Sequence, residues 1–106
     1  MNLEELKNIL ESTGLPVTYR AWPDDPANPP PPLPWICYLT EESEPLFADG
    51  QVYYSYDFVA VELYTRFKEQ ATERMVETAL AGFHWKISQE YLSTERCYIT
   101  IFEIEV

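Results

Sequence analysis

Residues 51–65 read QVYYSYDFVAVELYT, and this stretch decides the fold. It is dense in β-branched and aromatic residues and holds neither Gly nor Pro, so it is the longest strand signal in the chain. Its apolar alternation changes phase part-way. Val52, Tyr54, Tyr56 and Phe58 share one face, whereas Val59, Val61 and Leu63 share the other. Such a shift predicts either a bulge near Phe58 or a strand partly covered on both faces.

Toward the N-terminus, the pair Asp49-Gly50 reads as a turn, and the acidic patch Glu41, Glu42 and Glu44 opens the loop that this turn closes. Before it, residues 35–40 (WICYLT) are short, apolar and aromatic, as suits a strand covered on both faces or near a sheet centre. Residues 23–34 hold seven of the nine prolines, four of them consecutive from Pro29 to Pro32. Proline lacks the amide hydrogen that a helix or ladder needs, so this segment is an extended, exposed loop. It reads as a stiff connector or assembly loop ahead of a polyproline ligand for a partner's groove. Residues 17–22 (VTYRAW) alternate as a half-buried strand ending at Pro23. Residues 2–13 place Leu3, Leu6, Ile9 and Leu10 at helical spacing, with Asn2 and Glu5 as a capping pair, Gly14 as the left-handed stop and Pro16 beyond it.

Toward the C-terminus the period lengthens. Across residues 66–81, Ala71, Met75, Val76, Ala79 and Leu80 fall on one helical stripe, leaving Glu69, Glu73, Arg74 and Glu77 toward solvent, and Gly82 ends the helix. Residues 83–92 alternate as a strand, with Trp85, Ile87 and Gln89 on one side and His84, Lys86 and Ser88 on the other. Residues 93–95 read as a hairpin turn. Residues 97–106 form a last strand with Phe102, Ile104 and Val106 inward and Glu103 and Glu105 outward.

The order α-β-β-β-α-β-β, with short connections, implies an α+β fold: two helices packed on one face of a mostly antiparallel sheet. The 106 residues, 46% of them apolar, suit a single domain spanning 1–106 with its proline-rich loop at 23–34. No apolar run approaches the ~20 residues that span a bilayer. The charged N-terminal segment is unlike a signal peptide, so a soluble, unprocessed chain with no membrane partner is expected.

Seven Lys and Arg against eighteen Asp and Glu give a net charge of −11. Nucleic-acid affinity comes largely from basic side chains displacing counterions, and those present here are scattered among acids, so direct nucleic-acid binding is not expected. The acidity suits either a solubilising surface or one that faces DNA without holding it. Cys37 and Cys97 lie in apolar contexts as structural core thiols. One His adds too little to two Cys for a zinc site. Glu41, Glu42 and Glu44 lack calcium-loop spacing, His84 reads as an ordinary strand histidine, and no phosphate-cradling loop, serine elbow or Cys-x-x-Cys occurs. No catalytic residue, cofactor or metal is therefore assigned. Three Trp, eight Tyr and five Phe exceed the needs of a small core and fit either a Tyr-rich interior or protein contacts.

Three segments together resemble a known family: MNLEELKNILESTGLPVTYRAW, FADGQVYYSYDFVAVELYT and YLSTERCYITIFEIEV. They look like the small tail-completion proteins, or tail terminators, of long-tailed phages and prophages of Gram-positive bacteria. The resemblance rests on segment order and on runs such as Leu15-Pro16-Val17, Phe47-Ala48-Asp49 and Val61-Glu62-Leu63-Tyr64-Thr65. The proline loop is longer than that family's usual pattern.

The resemblance implies a non-enzymatic structural subunit that forms a ring, expected as a hexamer, at the head-proximal end of the tail tube. Its partners would be copies of itself, the tail-tube protein and a head-completion protein, and its location the virion tail after assembly in the host cytoplasm. Apolar side chains in or beside the loops nominate Trp22, Leu33, Trp35, Leu46 and Phe47 as interface residues. Two alternatives remain at this level: another head-tail connector of the neck, and an acidic DNA mimic that inhibits a host enzyme.

Overall fold

The computed structural model describes residues 3–40, 45–48, 51–54 and 58–105, the segments 45–48 and 51–54 through their backbone pairing only. The expectations placed on Asn2, Glu41, Glu42, Glu44, Asp49-Gly50, Tyr56 and Val106 lie outside these residues.

Nine elements follow one another among the described residues: α1 (Leu3–Glu11), β1 (Val17–Tyr19), β2 (Trp35–Thr40), β3 (Pro45–Ala48), β4 (Gln51–Tyr54), β5 (Phe58–Thr65), α2 (Gln70–Ala79), β6 (Trp85–Leu92) and β7 (Cys97–Glu105). Five strands form the main sheet in the order β1-β2-β5-β7-β6, and β3 and β4 form a second, two-stranded sheet. The main sheet with its helices has the order α-β-β-β-α-β-β and the fold is α+β. Every pairing in it is antiparallel except β1 with β2.

That one parallel pair explains the proline segment. Parallel neighbours need a connection long enough to return the chain to its starting end, a task usually given to a helix. Here residues 20–34 make the return without helix or strand. Arg20 opens it with a left-handed backbone, φ 67°. The amide of Ala21 donates to the carbonyl of Tyr19 at 2.8 Å, so the chain turns sharply and β1 stops at Tyr19, three residues short of the strand expected to reach Trp22.

Partnered residues across a ladder point to the same side of the sheet. One side carries Ile36 and Tyr38 from β2, Val59, Val61 and Leu63 from β5, and Phe102 and Ile104 from β7. Against it pack Leu6 and Leu10 of α1 and Val76 and Leu80 of α2, closing the core. Both helices therefore cover one face. The i, i+4 pair Leu6–Leu10 gives α1 its buried stripe, and Gly14 ends that helix with φ 82°, a conformation glycine adopts without penalty.

The second helix departs from its expected face. Buried on α2 are Glu73, Val76 and, just past its end, Leu80, whereas Ala71 and Met75 are exposed. Glu73 does not point to solvent: Lys68 donates to its two carboxylate oxygens at 2.7 and 3.0 Å, and Gln89 of β6 donates to it at 2.7 Å. Gln89 Nε2 also lies 2.8 Å from the buried Thr100 hydroxyl of β7, so one polar chain ties helix to sheet. A carboxylate with several charge-assisted partners tolerates a site that periodicity assigns to an apolar side chain.

Within the long stretch 51–65 the described residues are β4 and β5, with residues 55–57 outside the description. β5 carries Val59, Val61 and Leu63 to the helix side as expected, while β4 pairs with β3. Residues 45–48, expected as part of a loop, are strand β3.

Candidate assembly surfaces

The ladders β2–β5 and β3–β4 share one register. Thr40 pairs with Val59 at the end of β2–β5, and Pro45 pairs with Tyr54 at the start of β3–β4. Equal lengths of chain separate these pairs on the two strands. β3–β4 thus continues the β2–β5 hairpin in the same alignment, up to Ala48 opposite Gln51. It pairs with no strand of the main sheet among the described residues. The radius of gyration is 15.5 Å and the longest axis 50 Å, against about 13 Å for the radius of a compact 100-residue domain.

The sheet face away from the helices carries an aromatic row. Trp35 and Tyr64 are cross-strand partners, their rings 4.5 Å apart and tilted by 37°. Trp22 meets Trp35 edge-on, at 5.6 Å and 83°. The Trp22 indole nitrogen is buried and has no hydrogen-bond partner among the described residues. On the same face, the thiol of Cys37 donates to the carbonyl of Arg20 at 3.0 Å. These contacts seat the first turn of the proline loop on the helix-free face.

Of the five nominated interface residues, Trp22 and Trp35 are brought together. Leu33 is half-buried near the end of the loop, before a cis peptide to Pro34. Leu46 and Phe47 belong to β3, which the chain reaches only after leaving the other end of β2. The five therefore form two groups at opposite ends of β2, one on the sheet and one on the hairpin, rather than a single patch.

Cys37 and Cys97 are free and buried, and burial pushes both thiols up. Burial also pushes the Tyr64 phenol well above its usual range, with the neighbouring charge of Glu62 adding to it. Its hydroxyl donates to the Glu62 carboxylate at 3.1 Å. His84 is exposed just before β6, and its carbonyl accepts the Glu105 amide at 3.2 Å. It borders a shallow hollow of about 230 Å³ lined by Phe58, Trp85, Lys86, Glu103 and Glu105. A second hollow, about 330 Å³, lies between α2 and Ile87, lined by Lys68, Gln70, Glu73, Arg74 and Glu77. Neither joins a nucleophile to a base among the residues that line it. No family model, curated protein or solved structure matches this chain. The family resemblance therefore rests on the segments quoted above.

Sequence reasoning missed the exposed apolar residues elsewhere. Phe67, after β5, is 68% exposed, and Tyr91 and Ile87 of β6 are 51% and 47% exposed. Their alternation reads as a half-buried strand, but β6 is the sheet edge and residues 86–91 are all exposed. Exposure at an edge depends on strand order, and no local pattern encodes that order.

Proposed function

We propose that this chain is a phage tail terminator, a structural subunit that closes into a ring at the head-proximal end of the tail tube. It caps the tube and joins it to the head without catalysis. The observation that carries the reading is the register-continuous hairpin. A two-stranded β unit is marginal in water, and among the described residues β3–β4 pairs only with itself, so it calls for a surface supplied by another subunit. A hairpin that extends its own sheet is a natural arm for reaching the next copy in a ring. Termination then follows from asymmetry: one ring face copies the tube-end contact and the other does not, so no further tube subunit adds.

The charge supports the same reading. A ring of subunits each at −11 surrounds a channel that repels phosphate, which suits DNA sliding through without being held. The test is electron microscopy of tails made with and without this protein. Overlong tubes lacking a head-proximal cap are expected in its absence, and tails of normal length would remove the assignment.

A further inference from the structure

The outer edge of β6 is long, and among the described residues no strand pairs with it. Eight residues run from Trp85 to Leu92 with no proline and an unbroken register against β7. Sheet edges are ordinarily blunted by shortness, proline or a bend, and the opposite edge shows all three. β1 has three residues, follows Pro16 and ends at the left-handed Arg20.

Hydrogen-bond alternation identifies the groups that β6 leaves open. Glu105 donates its amide to the carbonyl of its opposite residue, His84, which makes that a hydrogen-bonded pair. Alternation then turns the backbone of Lys86, Ser88, Glu90 and Leu92 inward to β7. Trp85, Ile87, Gln89 and Tyr91 direct their N–H and C=O groups outward. An antiparallel partner strand must oppose outward residues with outward residues. For a second copy of β6, the two-fold axis therefore passes through a residue position, not between two.

We propose that two copies of this chain pair antiparallel along β6, about a two-fold axis at Ser88, forming one continuous sheet. This alignment uses the whole outward set: Ile87 opposes the partner's Gln89, and Trp85 opposes the partner's Tyr91. It also sets Lys86 opposite the partner's Glu90, twice by symmetry. These are non-hydrogen-bonded positions, where side chains approach most closely. Centring the axis one residue either way, at Ile87 or Gln89, leaves Lys86 facing Ser88 or Leu92 and loses both charge pairs. Only the Ser88 register is self-complementary in charge, and it covers the exposed Ile87 and Tyr91. An isologous contact closes on two copies, so this pair is separate from ring closure and does not rest on the tail reading.

Sedimentation velocity of the full chain over a concentration series tests it, with wild type, K86E, E90K, the double variant K86E/E90K and an equimolar mixture of the two single variants. The wild type is expected to form a dimer. Each single variant sets like charges opposite one another at both positions and should raise the dissociation constant about tenfold. The double variant and the mixture restore opposite charges and should recover the dimer. I87P removes an outward amide without touching the β6–β7 ladder and should abolish pairing, with circular dichroism confirming the fold. Should I87P lose its fold, the charge series decides alone. A wild type that stays monomeric overturns the proposal. So does a mixture no more associated than its components, or an assembly indifferent to every β6 variant. Rings that persist while only the two-fold pairing is lost would support this contact and leave the tail reading standing.

Discussion

Glu73 of α2 and Gln89 of β6 are joined by a 2.7 Å hydrogen bond, though they lie on elements separated in sequence by a turn. Lys68 completes the carboxylate's shell from the segment before the helix. Helix, edge strand and the buried Thr100 of β7 are thereby locked in one arrangement. Glu73→Ala removes the hydrogen bonds that the buried carboxylate accepts from Lys68 and Gln89 and should cost about 1–3 kcal/mol. Lys68→Ala should cost less, about 0–1 kcal/mol, because its ammonium is half-exposed and screened. Urea melts of the two variants check this order, and a larger loss for Lys68→Ala would reverse the ranking.

Trp22 poses a separable question, since its ring is packed edge-on against Trp35 while its indole N–H is buried with no partner among the described residues. Trp22→Phe keeps an aromatic ring and deletes that donor, so it should change stability by less than about 1 kcal/mol. Trp22→Ala strips the contact and should cost about 2 kcal/mol. Equal losses in thermal melts would mean that the N–H has a partner in solution.

The fold was legible where local chemistry and burial agree. Leu6 and Leu10, the left-handed Gly14, the strand bounds of WICYLT, and the inward Phe102 and Ile104 all followed from period and turn chemistry. What was not legible depends on partners remote in sequence. Glu73 reads as a surface residue because its burial needs Gln89 from another element. Residues 45–48 read as loop because their strand character depends on pairing with β4. The surface residues divide the same way. Position in or beside a loop nominated Trp22 and Trp35, which pack on each other and are half-buried, whereas the exposed β6 edge could be seen only once the strand order β1-β2-β5-β7-β6 was known.

Alkaline pH should weaken the fold through Tyr64. Burial, then the charge of Glu62, raises its phenol above the value near 10 expected in the unfolded chain. Ionisation is thus easier when the chain is unfolded. The associated stability is fully present below about pH 10 and is lost as pH rises beyond it. Tyr64→Phe keeps the ring against Trp35 and gives up the hydrogen bond to Glu62. It should lose about 1 kcal/mol at neutral pH and show a flatter decline above pH 10. Denaturant melts at neutral and alkaline pH check both effects.

Cys37 and Cys97 should react slowly with a disulfide reagent at neutral pH. The thiolate is the reacting form, and burial raises both thiols while shielding them from the reagent. Labelling should proceed through unfolding, so its rate should climb with denaturant. Fast stoichiometric labelling of the folded protein would contradict the burial of both side chains.

The hairpin β3–β4 allows a direct separation of folding from assembly. Leu39 and Ala60 form the last hydrogen-bonded pair of β2–β5, so replacing residues 41–58 by Asn-Gly closes that pair with a four-residue loop, Thr40-Asn-Gly-Val59, of a length hairpins also use. Among the residues whose burial is described, every member of the buried core cluster lies outside the deleted segment. The shortened chain should therefore keep its circular dichroism and a cooperative melt. It should fail to cap tails, because the arm that the proposed ring contact uses has been removed. The single variants Trp22→Ala and Phe47→Ala divide the effect further. Light scattering should show assembly lost with Phe47, on the hairpin, and retained with Trp22 if that ring serves the subunit's own sheet. A shortened chain that unfolds would make the hairpin part of the folding unit, and one that caps tails normally would deny it any role in assembly.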